Sequence, residues 1–288
     1  MAGGACTQGV DTGFVALGYG KVALLGVVQG ITELLPISST AHMRIVPALL
    51  GWQDPGSAFS AAMQLAALGA VICYFWGDVR NLVFGATGAL FRRDFKHQDF
   101  RFALYIALAT IPIVLGGLFL KDLLNACGSP LRSLNVIGAS CIVMAVLLAI
   151  AELAARHTRV YEGMTLKDAM IVGISQVGAL IPGVSRSGST LTAALFLGFK
   201  REEAARFSFL LGLPAITAAG AKELWVLYKA GLDPYGWSVL GVGAISAFVA
   251  IYLLIGLLER FSSWPFVFYR AAMGGMLLTA VYLGVLAA

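Results

Sequence analysis

Two short stretches of the sequence carry the side chains best suited to chemistry, and the first lies between residues 29 and 42. Gln29 and Glu33 are four residues apart and therefore share one helix face. Pro36 is predicted to end that helix. The hydroxyl and imidazole side chains that follow are Ser38, Ser39, Thr40 and His42. One segment thus supplies a carboxylate, an amide, hydroxyls and an imidazole.

The second stretch lies between residues 181 and 190 and is basic instead of acidic. Its Gly- and Ser-rich turn comes directly before an apolar helix predicted over Leu191–Phe199. Such a turn presents backbone N–H groups to an anion. Arg186 adds a planar fork that suits bidentate phosphate binding. The other polar or small residues of this turn are Ser185, Ser187, Gly188, Ser189 and Thr190.

Each candidate also has a purely structural interpretation. Gln29 could bridge two helices by hydrogen bonding, and Ser38, Ser39 and Thr40 could simply cap a helix, which is the favoured interpretation for Ser38. His42 could be a satisfied interfacial residue. Glu33 and Arg186 could form a structural ion pair, although charges inside a membrane are costly and usually functional. Because a basic cradle and an acid–hydroxyl–imidazole set occur together, the combination favours phosphate chemistry.

The composition shows where these stretches must lie. Of 288 residues, 59% are hydrophobic and only 12% are charged, and the mean hydropathy is +0.85. A soluble domain carries about 25% charged residues. This excludes an ordinary cytosolic enzyme, a disordered chain and a disulfide scaffold, and it indicates a polytopic membrane protein. The net charge of +5 is interpreted as basic cytoplasmic loops, with no nucleic-acid partner.

The apolar segments predict an all-α membrane protein with six transmembrane helices. A span needs about 20 mostly apolar residues. The predicted spans are Ala58–Trp76, Phe102–Leu120, Leu134–Ala151, Phe207–Tyr228, Tyr235–Leu258 and Pro265–Ala287. Two further apolar regions, Val22–Leu50 and Ala169–Phe199, break in the middle, and broken backbone at membrane depth survives only where protein or a wet cavity satisfies it. Both are predicted to be re-entrant helix hairpins.

The two halves of this single membrane domain resemble each other. Gln29 and Ser38 recur as Gln176 and Ser185, at an offset of 147, and similar matches at offsets of 148 and 149 follow. Three predicted spans separate the two hairpins, so the second copy should be inverted relative to the first. We expect an inverted-topology repeat, with one copy at about 15–155 and the other at about 165–288, whose broken helices meet near the midplane.

The positive-inside rule predicts the orientation of the chain. The loop between the first two spans is assigned to the cytoplasm because it carries Arg80, Arg92, Arg93, Lys96 and Arg101. Basic residues around the second hairpin lie on the same side, whereas the opposite side has fewer, among them Lys121. Both termini and the first hairpin are therefore expected to face outward, and the second hairpin to enter from the cytoplasm.

The two motifs also carry a family resemblance. Residues 26–42, GVVQGITELLPISSTAH, resemble the first signature of the undecaprenyl-diphosphate phosphatase (bacitracin-resistance) family, and residues 182–190, PGVSRSGST, resemble its second. The resemblance extends along essentially the whole chain, including the Trp264-Pro265-Phe266 tail. Gln29 stands where many members have Glu, a variant that the (E/Q)xxxE pattern allows. Either motif alone is moderately specific, and the two together are highly specific.

This resemblance implies hydrolysis of undecaprenyl diphosphate to undecaprenyl phosphate and inorganic phosphate in the bacterial plasma (inner) membrane, with the site open to the periplasm or outer face. It further implies a link to bacitracin resistance and a requirement for a divalent cation, Mg²⁺ or Ca²⁺. Glu33 would be a metal or acid/base residue with Gln29 as an auxiliary metal ligand. Ser39 would be the nucleophile, His42 its proton-transfer partner and Arg186 the diphosphate clamp. The expected phosphate cradle is Ser38, Thr40, Ser185, Ser187, Gly188 and Thr190.

Other functions remain open at this point. An inverted-repeat transporter or a flippase of a polyprenyl phosphate lipid would share the same architecture. A channel fits less well, because the site joins opposite charges instead of forming rings of one sign. Attack by Ser39 and attack by an activated water are both compatible with the residues. The sequence leaves the oligomeric state open as well, a homodimer included.

Overall fold

A computed structural model describes residues 13–53, 55, 57–120, 123, 130–229, 231–258 and 262–286. Regular structure in these ranges is helical, apart from one bridge between Arg159 and Phe199. Lys121, used in the charge count, and the end of the predicted span Pro265–Ala287 lie outside the described residues. In chain order the α-helices are α1 (Gly13–Leu34), α2 (Ser39–Leu49), α3 (Ser57–Tyr74), α4 (Trp76–Arg80), α5 (Ala86–Phe91), α6 (Gln98–Phe119), α7 (Leu134–Ala154), α8 (Leu166–Ser175), α9 (Arg186–Phe196), α10 (Arg201–Lys229), α11 (Pro234–Leu258) and α12 (Trp264–Tyr282).

Several of these helices are built to cross a membrane. By length and composition, four qualify within the described ranges: Gly13–Glu33 in α1, α6, α7 and α10. A fifth is counted if α3 and the helical stretch that follows it, bent by 88°, form one span. The outward faces of α6 and α7 are apolar, with Leu118 at 62% and Val143 at 56% exposure. Such surfaces are suited to lipid instead of water, so this is a multi-pass membrane protein.

The first hairpin begins earlier than the sequence predicted. Helix α1 starts at Gly13 instead of Val22, because most residues ahead of Lys21 are also apolar, and Phe14 is fully buried. The helix is interrupted at Gly18, whose φ of 71° is left-handed. The part beyond that kink is about 24 Å long, and α2 and α9, with 11 residues each, are about 16 Å long. A hydrocarbon core is about 30 Å thick, so each of these three straight pieces is shorter than that thickness, although α1 taken as a whole has the length of a span.

Glycines allow each hairpin to pack closely on a long helix. A Cβ on Gly26 of α1 would lie 2.3 Å from the carbonyl oxygen of Gly243 in α11. A Cβ on Gly173 of α8 would lie 2.3 Å from the carbonyl oxygen of Ala109 in α6. Small residues are the usual means of close helix approach in membranes. The two glycines are 147 residues apart, the same offset that relates the two polar motifs.

Ion pairs hold together the end of the bundle that carries most basic residues. Arg201 pairs with buried Glu152 and Arg206 pairs with Asp78. Arg159 binds Asp168 at 2.6 Å and also donates to the carbonyl of Leu197. These contacts join α7 to α10, α4 to α10, and the 155–165 loop to α8 and α9. Several of the basic residues that were used to assign the cytoplasmic side therefore also connect helices.

Both hairpins turn at a serine with unusual backbone geometry. Ser38 caps α2 with φ 74°, and its hydroxyl accepts from the N–H of Ala41. Ser185 caps α9 with φ 71°, and its hydroxyl accepts from the N–H of Gly188 at 3.1 Å. A left-handed φ is uncommon for a residue other than glycine. Both turns thus start a short helix whose N-terminus faces the centre of the protein.

Candidate active site

Glu33 is the centre of the hydrogen-bond network where the two hairpins meet. Its Oε2 accepts from the Ser39 hydroxyl at 2.6 Å and from the Gln29 amide at 2.9 Å. Its Oε1 accepts from Nη2 of Arg186 at 3.2 Å. The carboxylate is buried, with a side-chain exposure of 6%. The carboxylate of the first hairpin is therefore paired with the guanidinium of the second hairpin. From the sequence alone the two residues could be placed only on separate segments.

These groups open onto one cavity of about 170 Å³. Its polar wall contains the predicted residues Glu33, Ser38, Ser39, Thr40, Ser185 and Arg186. Arg186 uses Nη2 on Glu33, and a guanidinium carries five N–H donors in all. The N-termini of α2 and α9 add partial positive charge at the same place. The cavity is thus equipped to hold an anion beside a hydroxyl whose proton already points to a carboxylate.

His42 was expected to be the proton-transfer partner of Ser39, but in the structure its ring nitrogens contact other groups. Its Nδ1 lies 2.8 Å from the carbonyl oxygen of Ser38, and its Nε2 lies 2.6 Å from the Tyr269 hydroxyl. Because a carbonyl only accepts, Nδ1 carries a proton, and the neutral ring accepts the Tyr269 proton at Nε2. The Ser39 hydroxyl donates to Glu33 instead. The imidazole steadies the strained Ser38 backbone, and the carboxylate takes the place assigned to the imidazole.

Three predicted cradle residues support the turns and are not part of the cavity wall. Ser187 donates to the carbonyls of Glu33 and Leu35, which ties α9 to the first turn. Thr190 donates to the carbonyl of Arg186 and shares a short hydrogen bond with Ser208. The N–H of Gly188 is used by the Ser185 cap. Their hydroxyl and amide groups are committed to protein partners.

Gln29 lies behind Glu33 and is 1% exposed. Its Nε2 donates to Glu33, whereas its Oε1 is buried and has no partner among the described residues. The equivalent Gln176 is also buried, and both of its amide atoms lack a partner in the same ranges. A buried polar atom without a hydrogen bond is costly, so Oε1 of Gln29 is an acceptor beside Glu33 that could still receive a hydrogen bond or contact a cation.

Four residues of this region were not named as site residues from sequence. Gln64 lines the cavity from α3. Gly212 of α10 makes room for Arg186, since a Cβ there would lie 1.5 Å from Nη1 of Arg186. Tyr269 and Arg270, on α12, contact His42 and the two turns. The sequence held a signal for two of them: Gln64 is a lone amide in a predicted span, and Arg270 is a charged residue near the start of the last predicted span.

The residues fit a divalent cation only as part of a mixed shell. The described ranges contain no group of three or more His, Cys, Asp or Glu side chains that could hold a metal. Mg²⁺ commonly keeps several waters and binds through one or two carboxylates plus substrate phosphates. Glu33 and the unpartnered Oε1 of Gln29 meet that more modest requirement.

The fold and the cavity define an integral membrane protein with an anion site between two broken helices, of the kind an enzyme acting on a phosphate ester or anhydride would need. Comparison with known proteins identifies the family. The family described as bacitracin resistance protein BacA matches residues 22–276, and the chain belongs to it. Undecaprenyl-diphosphatase 2 of Mesorhizobium japonicum is 69% identical over 90% of this chain and all of its own length.

More distant relatives carry the same name. Undecaprenyl-diphosphatase of Synechococcus elongatus is 49% identical over 92% of this chain and 94% of its own length. The protein of that name from Trichormus variabilis is 47% identical over 92% of this chain and 85% of its own length. The resemblance predicted from the two motifs is confirmed.

Proposed function

We propose that this protein hydrolyses undecaprenyl diphosphate to undecaprenyl phosphate and inorganic phosphate, which recycles the lipid carrier for cell-wall synthesis and confers bacitracin resistance. The family and the names of the relatives support this activity. The observation that carries it is the contact of Ser39, Glu33 and Arg186 at one cavity. Nothing in the comparisons favours the transporter or flippase alternative.

The chemistry starts at the Ser39 hydroxyl. Its Oγ attacks the terminal phosphorus while its proton passes to Oε2 of Glu33, which is already within the 2.6–3.2 Å range of a general base. The P–O bond to the bridging oxygen breaks, and undecaprenyl phosphate leaves with that electron pair. Water then hydrolyses the phosphoserine and releases inorganic phosphate. Attack by a water on the substrate, with Glu33 as base, is the alternative outcome.

Arg186 and the helix termini neutralise the phosphate charge that this reaction redistributes. Fixed donors in a site shielded from water stabilise a transition state without reorganising, and phosphoryl transfer depends mainly on such positioning and charge. Glu33, Gln29 and phosphate oxygens would hold the Mg²⁺ or Ca²⁺ ion. A bound cation would supply further neutralisation of the diphosphate.

The other half of the cavity wall is suited to the first isoprene units of the lipid. It is formed by apolar side chains of α6 and α10, namely Ile113, Ala215, Ile216 and Ala219, and by Ala179 and Ile181 of the second hairpin. This supports access of the substrate sideways from the bilayer, with its diphosphate against the hairpin turns. The division of the wall into polar and apolar halves matches an amphiphilic substrate.

In the membrane, the proposal includes six spans and two re-entrant hairpins in an inverted repeat. It is supported by the short lengths of α2 and α9, by the equivalent caps at Ser38 and Ser185, and by the recurrence of Gly26 as Gly173. The location is the bacterial inner membrane with the site open to the periplasmic side, as the charge count implies.

The test is phosphate release from undecaprenyl diphosphate by the detergent-purified protein, with a preparation that lacks the protein as the blank and Ser39→Ala measured in parallel. We expect release by the wild type, loss with EDTA and recovery with Mg²⁺ or Ca²⁺. Activity unaffected by EDTA would exclude the cation, and no release in any condition would overturn the proposal. Acid quenching during turnover should trap phosphoserine at Ser39, whereas Ser39→Ala with near-normal turnover would favour the water route.

A further inference from the structure

Arg270 is the largest fully buried side chain among the described residues, and it contacts both breaks. Its Nη1 donates to the carbonyl of Pro36 at 2.6 Å, in the first turn. Its Nη2 donates to the carbonyls of Gly183 at 2.6 Å and Val184 at 3.0 Å, in the second turn. The guanidinium therefore binds backbone oxygens of two segments that are almost 150 residues apart in the chain.

The hydrogen bonds of Arg270 satisfy its donors without cancelling its charge. The acceptors found for it in the described ranges are main-chain carbonyls, the weakest of which is Cys141 at 3.5 Å, and no carboxylate pairs with it there. The side chain is 0% exposed, so water does not screen it. A buried charge without a counter-charge is costly. Its position thus requires a compensating gain.

The charge lies beside the proposed phosphate site. Gly183, whose carbonyl accepts from Nη2 of Arg270 at 2.6 Å, is part of the cavity wall. Each of the two helix N-termini contributes roughly half a positive charge. Among the described residues that line the cavity, Glu33 is the carboxylate, and it is already paired with Arg186. The groups at the site therefore carry an excess of positive charge, which a bound diphosphate would neutralise.

We propose that Arg270 is a positioning residue that joins the two broken helices and adds to the positive potential at which the diphosphate binds; this inference rests on the proposed function. It acts through the carbonyls of Pro36, Gly183 and Val184, which lie just before the capping serines. Those turns in turn set the positions of Ser39 and Arg186. A lysine cannot replace it, because a single ammonium lacks the planar fork that reaches both turns.

The experiment compares Arg270→Met and Arg270→Lys with a matched control, Arg159→Met. Arg159 also joins separate elements through a carbonyl and a carboxylate, but it lies in the 155–165 loop and not at the cavity wall. The measurements are the melting temperature of each purified variant, kcat and KM for undecaprenyl diphosphate, and the inhibition constant for inorganic phosphate. Activity is measured well below the lowest melting temperature.

The expected result is a fall in kcat of about 100-fold for Arg270→Met, since a misplacement of about 1 Å can have that effect. Inhibition by inorganic phosphate should weaken by about 10-fold or more, because both the turns and the local charge are altered. Arg270→Lys should stay folded, keep much of the phosphate inhibition and remain well below wild type in kcat. Arg159→Met should lose stability but keep wild-type kcat and phosphate inhibition.

Two results would overturn the inference. One is that the wild type is active and Arg270→Met has the same kcat and the same inhibition constant for phosphate as Arg159→Met. The other is Arg270→Lys with full kcat, which decides the question even if Arg270→Met does not fold. A wild type that releases no phosphate would instead overturn the proposed function. The inference on Arg270 would then fall if inorganic phosphate raised the melting temperature of wild type and Arg270→Met equally.

Discussion

The two broken helices use the same backbone turn for opposite chemistry. In each, a serine at φ near +70° caps a short helix, and the next residue is the first of that helix. That next residue is Ser39 in the first break and Arg186 in the second. At the glutamate position of the first break, Glu33, the second break has Leu180. The first turn therefore supplies the hydroxyl and the carboxylate, and the second turn supplies the positively charged guanidinium.

This difference explains why neither break is a site alone. A hydroxyl beside a carboxylate would repel an incoming diphosphate, and an anion cradle without a nucleophile could only bind one. The hydrogen bond from Arg186 to Glu33 joins the two halves. The equivalent positions therefore share the turn geometry and differ in the residue that follows it.

The largest expected effect comes from removing the acid of the first break. Glu33→Gln preserves shape but cannot accept the Ser39 proton, so kcat should fall by about 10²–10⁴-fold, the range of general base catalysis. Leu180→Met, at the equivalent position of the second break, should remain near wild type. The check is phosphate release at saturating lipid. Equal losses at both positions would show that the two breaks do not differ in role.

A smaller loss of activity should follow from displacing the guanidinium of Arg186 in the second break. The added methyl of Gly212→Ala would meet the Arg186 guanidinium, so we expect about a 100-fold fall in kcat/KM. Gly241→Ala, in α11, is the control because a Cβ there meets nothing within 4 Å. Steady-state kinetics of both variants test this. A normal kcat/KM for Gly212→Ala in folded protein would show that the position of Arg186 is not critical.

The two capping serines should respond alike, because the breaks share their backbone. Replacing Ser38 or Ser185 with Ala removes the cap at a cost of about 1 kcal/mol while keeping the strained φ. Replacing either with Gly loses the hydroxyl but relieves a strain of about 1–3 kcal/mol. Thermal unfolding should therefore rank Gly above Ala at both positions. Opposite rankings at the two sites would indicate that the turns are not equivalent.

The smallest effect on turnover is expected at Asp168, outside the spans. Burial alone would raise the pKa of Asp168, but hydrogen bonds from Arg159 and Thr165 outweigh it and hold the pKa below its usual value. This contribution is complete above the ordinary pKa of about 4 and is lost as the pH falls through the folded pKa. Asp168→Asn should lower stability by about 1–3 kcal/mol at pH 7 without changing turnover.

The unfolding midpoints of wild type and Asp168→Asn, followed from pH 7 to pH 3, test this expectation. The difference between them should shrink toward the acidic end. A constant difference would show that the charge of Asp168 does not contribute to stability. A large loss of turnover at neutral pH would show that the contact between Asp168 and Arg159 is coupled to the active site.

Much of this arrangement was readable from the sequence. The broken helices, Glu33, Ser39 and Arg186 all follow from polar residues in apolar segments, which are rare enough to stand out. The partner of Ser39 was not predictable, because Glu33 and His42 are both close to it along the chain. Only the three-dimensional turn decides which one receives the hydroxyl proton.

Arg270 shows the opposite limit. Its charge was visible near the start of a predicted span, but an arginine there can also reach the membrane surface by snorkelling. Its contacts with Pro36 and Gly183 depend on how α12 packs against α7 and both hairpins, which no local pattern encodes. The early start of α1 was missed for a simpler reason: Lys21 separates the apolar residues that follow Gly13 from the longer apolar run that begins at Val22.

The central claim is that the two breaks act on one phosphoryl group as a unit. The most direct test is a double-mutant cycle in phosphate release with Ser39→Ala, Arg186→Lys and the double variant. Residues that act as a unit are strongly non-additive, so we expect the double variant to be little worse than the more damaging single variant. If the two losses instead multiply, so that their free energies simply add, Ser39 and Arg186 act independently and the account is contradicted.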